Sequence, residues 1–114
     1  MRHCLTLELK DKPELIEEYK QWHTAENIWK EIPEGIKEVG IKEMEIYLWK
    51  NRLFMIVDTD DDFDWNDQMK KLSGLPMQEE WEKAMDKYQK RINDKRPDEK
   101  WQKMDRIFKL TECK

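Results

Sequence analysis

Along the opening residues, His3, Leu5, Leu7 and Leu9 alternate with Cys4, Thr6 and Glu8. A period of two belongs to a half-buried strand, so a strand is predicted near residues 2 to 9. The spacing then changes. Asp11 stands where it can cap a helix, Pro13 suits its first turn, and Leu15, Ile16, Tyr19 and Trp22 or His23 recur at helical intervals. This helix is expected to run, with a bend or restart at Pro33, as far as Val39, where Gly40 supplies the stop.

From Ile41 to Trp49 the run IKEMEIYLW alternates again, and RLFMIVD from Arg52 is its natural partner across the polar Lys50-Asn51 turn. Beyond the acidic DTDDDFD segment, a short helix is predicted around Phe63 to Leu72, a loop at SGLP, and a second helix from about Met77 to Arg91. The loop INDKRPDEK leads to WQKMDRIFKL, whose Met104, Ile107, Phe108 and Leu110 suggest a closing strand of less tidy alternation. The order β-α-β-β-α-β predicts an α+β, ferredoxin-like fold with both helical units on one face of four antiparallel strands. The other face would carry apolar residues and needs a cover, for which a homodimer is the expected solution.

A chain of 114 residues makes one domain, spanning 1–114. Its 42% charged residues would suit disorder, but 6 Trp, 7 Met, 3 Tyr and 3 Phe supply enough burial for a folded core. The 22 basic and 26 acidic residues are interspersed, so there is no basic stripe to displace counterions, and nucleic-acid binding is not expected. No charged-then-apolar leader opens the sequence and no apolar run approaches the roughly 20 residues that span a bilayer. A cytoplasmic protein without a membrane partner is the expectation. Cys4 and Cys113 fit no metal spacing and are read as reduced thiols, although the first and last strands could bring them near each other.

Four residues apart on a helix, Tyr19 and His23 share one face and can reach one pocket. Histidine both takes and gives a proton near neutral pH, and a neighbouring tyrosine can donate a hydrogen bond or relay a proton. The spacing alone serves amphipathic packing equally well. The aspartates at 58, 60, 61 and 62 resemble the start of a calcium loop, but Phe63 and Met69 occupy the places that need glycine and a bidentate glutamate. Those carboxylates are better read as ending a strand and favouring a helix N-terminus, and no metal site is expected. His3 reads as a satisfied core residue. Neither a nucleophile elbow, nor a Walker loop, nor a dinucleotide fingerprint is present.

Taken together, Tyr19-x-x-x-His23, Ile28-Trp29-Lys30-Glu31, Ile46-Tyr47-Leu48, Leu53-Phe54, and Trp81 with Lys83 and Met85 resemble the L-rhamnose mutarotase family over nearly the whole chain. That resemblance implies a dimeric α/β barrel of ferredoxin-like type that interconverts the anomers of a 6-deoxy-L-sugar without metal or cofactor. It implies His23 as the principal proton donor, Tyr19 binding and orienting the sugar, and Trp81 lying against it.

This sequence departs from the rhamnose pattern at the presumed pocket. Met44 stands where rhamnose-type members have tyrosine, and Glu82 follows Trp81 where they have a second tryptophan. Two extra residues separate His23 from Ile28 and Trp29, and Lys30 replaces a common proline. Met44, Trp81, Glu82, Trp29 and Tyr19 are therefore the expected sugar-binding set, with L-fucose at least equal to L-rhamnose as substrate. Two other readings stay open: a small monooxygenase-like dimeric barrel, and a non-catalytic sugar-binding module.

Overall fold

The computed structural model describes residues 1–90 and 100–113. Strand β1 (Arg2–Glu8) is followed by helices α1 (Pro13–Trp22) and α2 (Glu31–Glu38), then by the hairpin of β2 (Ile41–Trp49) and β3 (Arg52–Thr59). Helices α3 (Trp65–Ser73) and α4 (Gln78–Asp86) come next, then a short strand β4 (Gln102–Lys103) and a 3-10 turn at Leu110–Glu112. The sheet order is β2-β3-β1-β4, antiparallel throughout. This is the ferredoxin-like α+β arrangement, with each helical unit split into two short helices.

The helices cover the face built by Leu5, Leu7, Leu53, Met55 and Val57, all buried. Two clusters share this layer. Leu7, Leu9 and Leu53 pack with Tyr19, Ile32, Trp81, Met85 and Tyr88, whereas Leu5, Met55 and Val57 pack with Val39 and Ile41. The β2 run does not alternate simply. Ile41 pairs with Thr59 and Glu43 with Asp58, a bulge that inserts one extra residue and reverses the parity. Met44 and Ile46 thereby join Ile41 on the helix side instead of facing away from it. Across the hairpin, Lys50 takes a positive φ of 56°, and the Asn51 side chain donates to the Leu9 carbonyl at 3.0 Å.

The long first helix expected from the sequence is broken after Trp22. Three side chains bond back to its last carbonyls: His23 Nδ1 to Tyr19 at 2.7 Å, and Thr24 Oγ1 and Asn27 Nδ2 to Gln21 at 3.0 and 2.9 Å. Such bonds satisfy groups that another helical turn would otherwise use, and the chain leaves the helix. Pro33 sits in the first turn of α2, where its missing N–H is no loss. Gly35 on α2 is forced by a close approach: an added Cβ would lie 2.5 Å from Gln78 Nε2, which donates to the Glu31 carbonyl at 3.0 Å. Gly40 ends this unit at φ 97°.

The acidic stretch is used as a fastening. Asp58 pairs with Arg2 at 3.1 Å and Asp60 with Lys42 at 2.5 Å, and Asp64 accepts from the Asp67 N–H at 3.0 Å to cap α3. His3 packs on Trp65, with ring centroids 4.7 Å apart, and bonds Thr59 Oγ1 at 3.1 Å.

The end of the chain differs most from expectation. Of the loop predicted at INDKRPDEK, residues 92–99 lie outside the described residues, as does Arg91, the last residue of the second long helix, and Lys100 is buried. The closing strand is confined to Gln102–Lys103, paired with Leu5 and Thr6, and Met104 adds one backbone bond to Cys4 at 2.8 Å. Beyond it Ile107, Phe108 and Leu110 are 95, 67 and 74% exposed. The sheet ends where those apolar side chains have nothing among the described residues to pack on. Cys4 and Cys113 are both free thiols. Among the described residues, no helix is long and apolar enough to cross a membrane.

Candidate active site

Tyr19 belongs to the last turn of α1, and His23 is the residue that caps the helix, with φ −97° and ψ 3°. Their rings lie 4.3 Å apart between centroids, tilted by 33°. His23 Nδ1 lies 2.7 Å from the Tyr19 carbonyl oxygen. A carbonyl only accepts, so Nδ1 carries the hydrogen and Nε2 is left with its lone pair in the neutral ring. Burial pushes the imidazole below its ordinary value of 6.5, and the bond to the Tyr19 carbonyl raises it again only in part. The site therefore presents a neutral histidine with its basic nitrogen turned away from the helix.

The tyrosine is its opposite in protonation. Burial pushes the Tyr19 phenol well above the usual range, a bond from Gln89 acts against this, and the charge of Glu82 adds to it. Tyr19 is thus held as a neutral hydroxyl, a hydrogen-bond donor at any physiological pH.

Around the pair stands a wall of aromatic rings. Trp81, on α4, meets His23 edge to face at 5.4 Å and Trp29 at 5.3 Å, and Trp22 lies 6.4 Å from each of Trp29 and Trp81. Tyr88 approaches Tyr19 at 5.9 Å. Its hydroxyl accepts from Trp22 Nε1 at 2.9 Å and donates to Glu18 at 3.2 Å, which fixes the outer rim of the wall. A neutral acid-base pair beside tryptophan faces is chemistry suited to a polyhydroxylated ligand with one apolar side.

Of the residues expected at the site, Tyr19, His23, Trp29 and Trp81 come together in the first cluster. Met44 does not. The β2 bulge sets it opposite Val57, in the second cluster with Leu5, Val39 and Met55. Glu82 is near enough to Tyr19 for its charge to be felt, but its carboxylate is engaged by Lys100 Nζ at 3.1 Å. Lys100 also reaches Asp86 at 2.7 Å and Gln89 Oε1 at 2.6 Å, with its side chain only 1% exposed. Neither Gln89 nor Lys100 is signalled in the sequence, because each sits in a polar run that reads as solvated surface. Trp22 was legible only as a residue of the first helix face, and Tyr88 carried no signal of its own.

Comparisons with known proteins place the chain in a family. The family model for L-rhamnose mutarotase matches residues 2–110. The chain is 34% identical over 112 residues to an L-fucose mutarotase of Xanthomonas campestris, covering 98% of this chain and 90% of that one. It is 39% identical over 112 residues to a UPF0734 protein of Dictyostelium discoideum, with 95% and 88% covered. Among solved structures, the L-rhamnose mutarotase of Formosa agariphila superposes with a TM-score of 0.70 at 17% identity, over 96% of this chain and 98% of its own. Tetracenomycin F2 cyclase of Streptomyces glaucescens, a type-II polyketide cyclase, gives 0.63 at 16%, over 96% and 97%. At such identities the two structures speak for the fold, which a cyclase and a mutarotase share. The match over residues 2–110, together with 34% identity to a relative covered over 90% of its length, means that the chain belongs to the L-rhamnose mutarotase family.

Proposed function

We propose that this protein is a mutarotase that interconverts the α and β anomers of a free 6-deoxy-L-hexose, L-fucose or L-rhamnose. The observation that carries the reading is the tautomer of His23: with Nδ1 bonded to the Tyr19 carbonyl at 2.7 Å, Nε2 is the base. The family match and the fucose-acting relative from Xanthomonas support the substrate class.

Mutarotation opens the ring to an aldehyde, turns the C1–C2 bond, and closes the ring on the other face. The anomeric oxygen and the ring oxygen are both bound to C1, so one imidazole nitrogen can serve both. His23 Nε2 takes the anomeric proton, and the imidazolium returns it to the ring oxygen as that oxygen leaves C1. Closure runs the same transfers in reverse. The proton count balances and no electrons pass to a cofactor. His23 is thus a base before it is the donor named by the family resemblance, because burial favours the uncharged ring. Tyr19, kept protonated by burial, donates a hydrogen bond to whichever sugar oxygen gains negative charge. Trp81, Trp29 and Trp22 offer aromatic faces to the apolar side of the sugar.

The assembly that fits this reading is a homodimer, in which a second copy covers the outer sheet face and the exposed Ile107, Phe108 and Leu110. Anomer exchange tests the function directly. Saturating one anomeric proton of L-fucose or L-rhamnose at equilibrium and observing the other should show faster transfer with protein present. Equal transfer with and without protein, for both sugars, would overturn the proposal.

A further inference from the structure

Tyr88 lies just beyond α4 and is buried, and the acid-base steps above leave it unused. Its backbone is fastened on both sides. The Tyr88 N–H donates to the Met85 carbonyl at 3.0 Å, and its own carbonyl accepts from the N–H of Lys10, just past β1, at 2.8 Å. Its ring stands edge-on to Tyr19, with centroids 5.9 Å apart. The hydroxyl is thus held at a fixed place behind the site.

That hydroxyl is the middle of a run of hydrogen bonds with a single direction. An indole N–H only donates and a carboxylate only accepts. Trp22 Nε1 therefore donates to the Tyr88 oxygen at 2.9 Å, and the Tyr88 hydroxyl donates to Glu18 Oε1 at 3.2 Å. Lys87 Nζ lies 3.5 Å from the same carboxylate oxygen. The hydrogen of Tyr88 points to Glu18, and its lone pair faces the indole.

Trp22 is the last residue of α1, and its indole plane lies at 88° to that of Trp29 and at 88° to that of Trp81, while those two lie at 73° to each other. Three nearly perpendicular rings make a corner, and Trp81 is the one that meets His23, at 5.4 Å. Packing alone does not fix such a ring, because the outer torsion of a tryptophan side chain is broad and roughly two-fold. A hydrogen bond does: one orientation brings Nε1 to Tyr88, and the reversed one leaves the N–H without that partner.

We propose that Tyr88 is a positioning residue for the sugar site: its hydroxyl selects the orientation of the Trp22 indole and so holds the tryptophan corner against which the apolar side of the sugar rests. The consequence for sugar binding rests on the mutarotase reading above, whereas the bond that fixes Trp22 is independent of any substrate. Because a stacking surface holds the ground state and the transition state alike, its misplacement shows in KM and not in kcat. A loss of folded protein would do the reverse, lowering the apparent kcat and leaving KM as it was.

Two variants test this. Tyr88→Phe removes one oxygen and keeps the ring, and Glu18, with its side chain 49% exposed, turns to water. Trp22→Phe cuts the same link from the other end while retaining a ring, so it remains informative if Tyr88→Phe fails to fold. The first readout needs no sugar: with 15N-labelled indoles there are 6 N–H signals, and that of Trp22 is identified by its loss in Trp22→Phe. In Tyr88→Phe the Trp22 signal should move and its hydrogen should exchange with solvent faster, while the signals of Trp49 and Trp65 stay in place. The second readout is kinetic, a rise of about tenfold in KM for the sugar with kcat nearly unchanged, the scale of one hydrogen bond. Trp22→Phe should raise KM at least as much, and the double variant no further than Trp22→Phe alone, since both act at one link. A Trp22 signal unmoved in Tyr88→Phe, a wild-type KM in either variant, or additive effects in the double variant would overturn the proposal. A wild-type protein that accelerates neither sugar would instead overturn the mutarotase reading, and the Trp22 signal would still decide whether Tyr88 fixes the indole.

Discussion

His23 Nδ1 donates to the carbonyl oxygen of Tyr19 at 2.7 Å, so the backbone of one residue of the pair sets the tautomer of the other. The proton-accepting nitrogen is Nε2, and burial keeps the ring neutral. A base with a lowered pKa is unprotonated throughout the neutral range. Accordingly kcat/KM for anomer exchange should be flat from pH 8 down to about 6.5 and fall only below it. In His23→Ala the acidic limb should vanish together with roughly 100- to 10,000-fold of the acceleration. An inflection above 6.5 in the pH–rate profile would contradict the assignment of a buried neutral base.

The same shift enters stability. His3 and His23 both have folded pKa values below 6.5, in each case chiefly through burial, with the Lys103 charge adding to the effect at His3. On acidification the unfolded chain binds these protons before the folded one does, so stability contributed by the neutral rings is complete above about 6.5 and is lost as the pH falls towards the folded values. Urea midpoints measured between pH 8 and 5 should stay constant in the upper half of that range and decline in the lower. His23→Ala should decline less steeply than wild type, and an identical slope would remove His23 from the account.

Trp81 packs in the core and, in the proposed function, also lines the sugar site. It is buried, and its ring contacts Trp22, His23 and Trp29. Trp81→Ala should destabilise the fold by about 3–5 kcal/mol through the cavity it leaves. Trp81→Phe retains a ring and should fold, with a raised KM for sugar and little change in kcat, because stacking holds the ground state and the transition state alike. A Phe variant with wild-type KM would place the sugar elsewhere.

How far the sequence carries the reader depends on the range of the interaction. Leu5, Leu7 and Leu9 announce β1 because a single period governs them, and Tyr19 with His23 stand close because four residues of one chain segment keep them so. The Met44 placement was not legible, since a bulge between Ile41 and Glu43 reverses every later side chain and leaves no mark in composition. The helix break after Trp22 depends on which carbonyls His23, Thr24 and Asn27 find, a matter of three-dimensional reach. Lys100 was invisible for a related reason: its partners Glu82 and Asp86 lie on α4 and Gln89 just past its end, and only tertiary packing brings Lys100 to them.

Glu82 follows Trp81, where the family resemblance implies a second tryptophan in rhamnose-type members, and its carboxylate faces Lys100 while its charge reaches Tyr19. Glu82→Trp should raise the rate for L-rhamnose relative to L-fucose. The ratio is the informative quantity, because any general loss of stability or site integrity should slow both sugars alike and cancel. Competition between the two sugars in one sample gives that ratio directly, and a value equal to wild type would exclude Glu82 as a determinant of preference.

The strand that stops at Lys103 leaves Ile107, Phe108 and Leu110 exposed at one end of a sheet whose outer face carries half-buried Cys4, Thr6, Phe54 and Ile56 beside exposed Tyr47 and Trp49. An apolar tail and an apolar sheet face on one chain suit a pair of copies, each tail laid on the other's sheet. The tail is already shaped for this: Lys109 is extended, with φ −144° and ψ 117°, and Arg106 grips Glu112 through two bonds of 2.9 and 3.1 Å that hold the terminal turn. Phe108→Asp would place a charge in such a contact and should convert a dimer of wild-type protein to monomer at micromolar concentration, read by sedimentation equilibrium. The fold of each chain should survive, because Phe108 contributes nothing to either buried cluster. A variant that sediments as a dimer, or a wild-type protein that sediments as a monomer, would show that the exposed tail is not the dimer contact.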